Sequence, residues 1–276
     1  MNQPGDDNLL VQARSTLLDA LDALDQHRDS LIVIGAQAVY LRSGAAVVAL
    51  AESTKDSDLA LNPRNLKDAP HLEDAMTRAG FYLNANGHPG AWVSADGIPV
   101  DLMVPHGLSN RPNKKARSAR LPPHDKMAMR IAVGLEGCVV DNSLMTIPSL
   151  DESDGRTRDA LVAGPAALIV AKIHKIHERL DSPDRLQNKD AHDFYRLLVA
   201  HETEDLVLAF RGLLANPIST ETTAHAADWM GELFANPTAI GSVMAGKAEE
   251  GVGNPTQVAA STSILVQELL IDLGST

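Results

Sequence analysis

The texture of the chain changes once, at Gly164-Pro165, and that change limits the architectures open to it. Before it, short apolar runs alternate with amphipathic ones. Leu9 to His27 carries leucines at helical spacing, and Leu31-Ile32-Val33-Ile34 is a short buried strand that ends at Gly35-Ala36-Gln37, where a helix resumes. Asp56 to Leu61 reads as a strand, Asn65 to Ala79 as a helix, and Phe81–Leu83, Ala91–Ser94 and Pro99–Val104 as further strands. Asn110 to Pro123 is a polar, basic connector, followed by an expected helix near Lys126 to Val133 and short strands to about Val162. Beyond Pro165, which suits the first turn of a helix, nearly everything is helical, at about 165–180, 188–201, 203–215, 221–235, 238–249 and 256–272. Pro183, Pro217, Pro237 and Pro255 punctuate it. The pattern predicts an α/β (α+β) domain with a mixed sheet over 1–163 and a helical domain over 164–276 that closes a cleft.

Charge is divided along the same line. The chain carries a net −12; from residue 197 onward Arg211 and Lys247 stand against ten acids, so −8 lies there and −4 in residues 1–196. A polyanionic partner should therefore meet the earlier part. Within it, Arg111, Lys114, Lys115, Arg117 and Arg120 form a run without an acid, expected to lie between the domains and the best candidate for contacts with RNA phosphates. Aromatics are only 3%, which argues against sustained base stacking. Cys138 is the only cysteine, so an internal disulfide or cysteine-rich zinc site is excluded and a buried thiol is expected. His174, His177 and His192 lack a zinc-ligand pattern and read as surface or supporting histidines. No apolar run is long enough for a bilayer, and Met1 to Asn8 does not read as a signal peptide, so a cytoplasmic setting is expected.

Asp56 and Asp58, two apart on a strand, share one face with Ser57 on the other. Asp101 interrupts the apolar run Val100 to Val104, where an acid is costly unless something pairs it. Adjacent strands would bring the three together, and Mg2+ (or Mn2+) would relieve their repulsion while leaving room for waters and phosphates. Such a cluster suits phosphoryl or nucleotidyl transfer. Upstream, the Gly35-Ala36 strand-to-helix turn lets backbone approach a phosphate. Downstream, Lys172, Lys175 and Arg179 share one helix face, and Asp190 and Asp193 share a face of the next.

Strand-Gly35-Ala36-helix, Asp56-Ser57-Asp58 and a lone strand Asp101 resemble the nucleotidyltransferase superfamily of polymerase-β-like fold. Ala36 departs from the glycine or serine usual there, which leaves only its backbone to touch phosphate. "AALIVAKIHKIHERL" followed by "NKDAHDFYRLL" resembles the AbiEii-type family, which includes toxins of bacterial abortive-infection and toxin–antitoxin systems; the likeness covers roughly residues 30–200. It implies that Lys172 and Asp190 are catalytic beside Asp56, Asp58 and Asp101. Gly35, Ala36, Lys172 and Lys175 would bind the nucleotide. The layout is similar to mycobacterial toxins that add pyrimidine nucleotides to the 3′ end of tRNA. A nucleoside triphosphate substrate, a tRNA acceptor, a cognate antitoxin and no membrane are thereby implied. So is phosphorylation of a hydroxyl near the acids, with Thr54 favoured over Ser53 and Ser57. The alternatives are transfer to a protein or small molecule, or a non-catalytic nucleotide-binding module.

Overall fold

The computed structural model describes residues 4–44, 56–110 and 116–274. Ser53, Thr54, Arg111, Lys114 and Lys115 lie outside the described residues. The chain forms α1 (Pro4–Ala23), β1 (Leu31–Ile34), α2 (Gly35–Ser43), β2 (Ser57–Leu61), α3 (Leu72–Arg78), β3 (Tyr82–Leu83), β4 (Ala91–Val93) and β5 (Pro99–Pro105). Next come β6 (Arg130–Ala132), α4 (Glu136–Val140), β7 (Asn142–Pro148) and β8 (Thr157–Ala163). Six helices follow: α5 (Pro165–Glu178), α6 (Asn188–Ala200), α7 (Thr203–Ala215), α8 (Thr220–Phe234), α9 (Ile240–Lys247) and α10 (Pro255–Gly274). The architecture is α/β with a mixed sheet. No helix among the described residues is long and apolar enough to cross a membrane.

Among the described residues the sheet has eight strands in the order β3-β4-β5-β2-β1-β8-β7, with β6 paired to the far end of β5. β1 runs antiparallel to β2 and parallel to β8, while β2 and β6 both run parallel to β5. All four residues of β1 are buried, as a central strand covered on both faces requires. Along β2 the two-residue period separates the faces. Ser57 is buried and its hydroxyl donates to the Ala13 carbonyl of α1, so Asp58 faces the opposite side. On that side α2 packs against α5 and α6. One apolar cluster, from Leu17 to Leu269, runs through the sheet and the helices beyond it.

Three expectations need correction. Only Leu72–Arg78 of the span 65–79 is helical. Pro70 disfavours helical backbone at the residue before it, and the Asn65 amide instead donates to the Asp29 carbonyl. No helix forms over 126–133, where Arg130, Ile131 and Ala132 pair with Met103, Val104 and Pro105. Extending an open sheet edge there outweighs a weak helical preference. The connector does not lie between domains, because residues 116–123 join β5 to β6 within one sheet, and Ser118 bridges to Arg130.

A histidine cluster under α3 makes the fold acid-sensitive. His27 is fully buried; its Nε2 donates to the Pro70 carbonyl at 2.8 Å, and its Nδ1 has no partner among the described residues. The His124 ring, 5.6 Å away, accepts from the Leu72 amide. Burial pushes both imidazoles below their ordinary value of 6.5. The unfolded chain therefore takes up protons first as pH falls, so stability present above pH 6.5 is lost below it. Asp58, whose carboxyl is raised, acts in the opposite direction over part of that range. The contribution of His27 is isolated by a His27→Gln variant: melting temperature should fall less between pH 7.5 and 5.5 than in the parent, and parallel curves would contradict the account.

Candidate functional site

The acid wall of the site follows from strand register. Asp58 sits directly beside Asp101 on the neighbouring parallel strand, and Ile34 at the end of β1 sits beside Asp58 from the other side. Asp56 immediately precedes β2. Burial first, then the charges of Asp56 and Asp101, push the Asp58 carboxyl up to about 6. Gly35 explains how so crowded a carboxylate fits: it has φ +66°, and a Cβ there would overlap Asp58 Oδ2. The glycine thus serves Asp58 directly, as well as shaping the turn into α2.

The opposite wall is α5 and its partner α6. Lys172 is buried and donates to Asp190 at 3.0 Å and to Asp193 at 2.5 Å. Lys175 reaches the same Asp190 oxygen at 2.8 Å, and Arg179 reaches its other oxygen at 3.3 Å. Asp190 is therefore a buried hub under three cations. Burial alone would push the Lys172 amine down, but Asp193 and Asp190 reverse this and hold it above its ordinary value. Burial would likewise raise Asp190, yet Lys172 and Lys175 hold it far below the usual carboxylate range. Partial enclosure, then the charge of Lys172, push the Lys175 amine down, partly offset by Asp190 and Asp58.

A cleft of about 540 Å³ separates the walls. Gly35, Asp56, Asp58, Asp101, Arg117, Lys172 and Lys175 all line it. Ala36 is half-buried and does not line it, Asp190 stands behind the cations, and Arg120 is exposed elsewhere. The structure also brings in residues that the sequence did not assign to the site: Arg130, Arg179 and Arg185 line the same cleft, so among the described residues its walls present six lysine and arginine side chains against four carboxylates. Arg179 was legible only as a neighbour on the Lys172 face, and Arg185 falls in the α5–α6 turn without a pattern. Arg130 was hidden because three residues of edge strand have no readable period. It donates to Asp101 Oδ2 at 2.9 Å, so the acids do not converge without a basic neighbour.

That pair bears on metal binding. Among the described residues no group of three His, Cys, Asp or Glu side chains forms a ligand set for a metal ion. Asp56 and Asp58 nevertheless offer oxygen donors to an open cleft, beside a glycine whose missing Cβ makes room for Asp58. Such a two-carboxylate site fits magnesium, which keeps waters and phosphate oxygens as its other ligands. The histidines are used otherwise. His174 is buried and hydrogen-bonded to the Thr222 carbonyl, His177 stacks on Trp229, and His192 is buried against Glu249, so two of the three are interior rather than surface groups. Cys138 is buried, and burial pushes its thiol up, away from nucleophilic reactivity. No family model, curated protein or solved structure matches the chain.

Proposed function

We propose that the chain is a magnesium- or manganese-dependent nucleotidyltransferase. It would move a nucleoside monophosphate, of pyrimidine type, from a nucleoside triphosphate to the 3′ end of tRNA and so block translation. The observation that carries this reading is the facing of two walls across one cleft: Asp56, Asp58 and Asp101 from the sheet and the residue leading into it, Lys172 and Lys175 from α5 and Arg179 from its C-terminal cap. A triphosphate needs both signs, carboxylates to carry its counter-ion and fixed cations to neutralise the departing charge. The mixed sheet with a glycine turn beside paired acid strands is compatible with a polymerase-β-like fold. The sequence resemblance to AbiEii-type toxins supplies the acceptor and a cognate antitoxin as partner.

Each side chain then has a task. Asp56 and Asp58 would hold the divalent ion, which when bound supplies charge neutralisation at the α-phosphate. Gly35 leaves space for Asp58 and lets backbone approach the phosphates. Lys175 and Arg179 face the phosphate chain, while Asp190 fixes their positions and that of Lys172. Asp101 would complete the carboxylate set for that ion with one oxygen and, with the other, accept the proton of the acceptor 3′ hydroxyl as the hydroxyl oxygen bonds to the α-phosphorus and pyrophosphate leaves. Arg117 extends the cationic rim toward an RNA backbone.

The test is incubation with each α-labelled nucleoside triphosphate, magnesium and total tRNA, beside an Asp56→Ala control. Label on RNA that disappears in the control is the expected result. Label on protein would redirect the acceptor. Absence of both labelling and metal-dependent nucleotide binding would overturn the assignment.

A further inference from the structure

We infer that Arg130 is the phosphate-responsive residue of the cleft: it holds Asp101 while the cleft lacks a polyanion, and moves to the phosphate chain when one enters, freeing Asp101 to join Asp56 and Asp58. The inference rests on the reading of the cleft as a triphosphate site. β2, β5 and β6 run parallel, with Asp58 beside Asp101 and Arg130 beside Met103, two residues along β5 from Asp101. The two-residue period puts Asp58, Asp101 and Arg130 on one face, and all three line the cleft. Arg130 commits one nitrogen to Asp101 at 2.9 Å. A guanidinium has five N–H donors, so further donors suit a phosphate, which it grips bidentately. Its side chain is 34% exposed and stands on a three-residue edge strand, conditions under which an ion pair exchanges partners cheaply. Lys172 is placed differently: it is 7% exposed and held by two carboxylates, so it cannot leave without stranding the buried Asp193.

A residue that competes with the metal for Asp101 and attracts the nucleotide has opposite effects on the two ligands when removed. Arg130→Ala should bind Mn2+ alone more tightly, by roughly fivefold or more, the low end of coupling between linked sites. The same variant should bind a nucleoside triphosphate without metal more weakly. Arg130→Lys, which keeps one charge but loses the fork, should fall between parent and alanine on both measures. Arg130→Ala/Asp101→Asn should return Mn2+ affinity to the parent level or below. Calorimetric or spin-resonance titration with Mn2+, and fluorescence titration with nucleotide in chelator, read these without any turnover. Parent and both Arg130 variants binding Mn2+ equally would overturn this inference while leaving the proposed function standing. Binding of Mn2+ by none of them, either alone or together with a nucleoside triphosphate, would overturn both.

Discussion

Replacing Gly35 by alanine is expected to reduce nucleotidyl transfer by about 10²-fold, the cost of misplacing a reacting group by about an ångström. The change removes no charge and no proposed ligand. Its single added carbon would overlap Asp58 Oδ2, within a turn whose φ of +66° already disfavours any residue with a side chain. The left-handed backbone costs about 1–2 kcal/mol, small enough for the domain to remain folded. Asp58 must then leave the position it holds beside Asp101, its direct neighbour across the β2–β5 ladder. A control is available in Gly155, where an added Cβ meets nothing within 4 Å, and Gly155→Ala should leave transfer unchanged. Steady-state kinetics beside a circular-dichroism melt would check the pair. A folded Gly35→Ala protein with full activity would show that the Asp58 position does not govern the chemistry.

Lys172→Met is expected to destabilise the fold by about 3–5 kcal/mol, the usual consequence of removing one partner from a buried ionic cluster. Asp190 retains Lys175 and Arg179, whereas Asp193, also buried, loses its 2.5 Å contact with the lysine. The stranded charge makes the loss large. Adding Asp193→Asn to the variant should therefore restore a substantial part of it, because the two positions share one interaction. Lys175→Ala offers the contrast. That side chain is 36% exposed and shares Asp190 with two other cations, so stability should change by less than about 1 kcal/mol while nucleotide affinity falls. Urea denaturation at neutral pH measures the three. Equal destabilisation by Lys172→Met and Lys175→Ala would sink the division between an internal anchor and a ligand-facing cation.

Much of the architecture was legible because periodicity survives wherever a segment is long or fully buried. The order α-β-α-β-α-β-β-β and the six C-terminal helices are read from spacing, and a break at Gly164-Pro165 is where β8 ends and α5 begins. Legibility failed where neighbours decided. Residues 126–133 carry no strand signal of their own and become β6 only because β5 has an open edge to fill. The basic run at 111–120 looked like a link between domains because composition does not report which strands a loop joins. Among its described members, Arg117 lines the cleft and Arg120 does not.

The candidate site divides in the same way. Local chemistry in the sequence determined that Asp56 and Asp58 share a face, that Gly35 opens a helix, and that Lys172, Lys175 and Arg179 line up along one. Tertiary structure alone decided that Asp58 stands beside Asp101, that Gly35 is needed to seat it, and that Asp190 binds three cations at once. It alone introduced Arg130. A sequence states how side chains repeat along one element, a property of backbone geometry. Which charge meets which is set by strand register and helix packing, which depend on burying the whole core together.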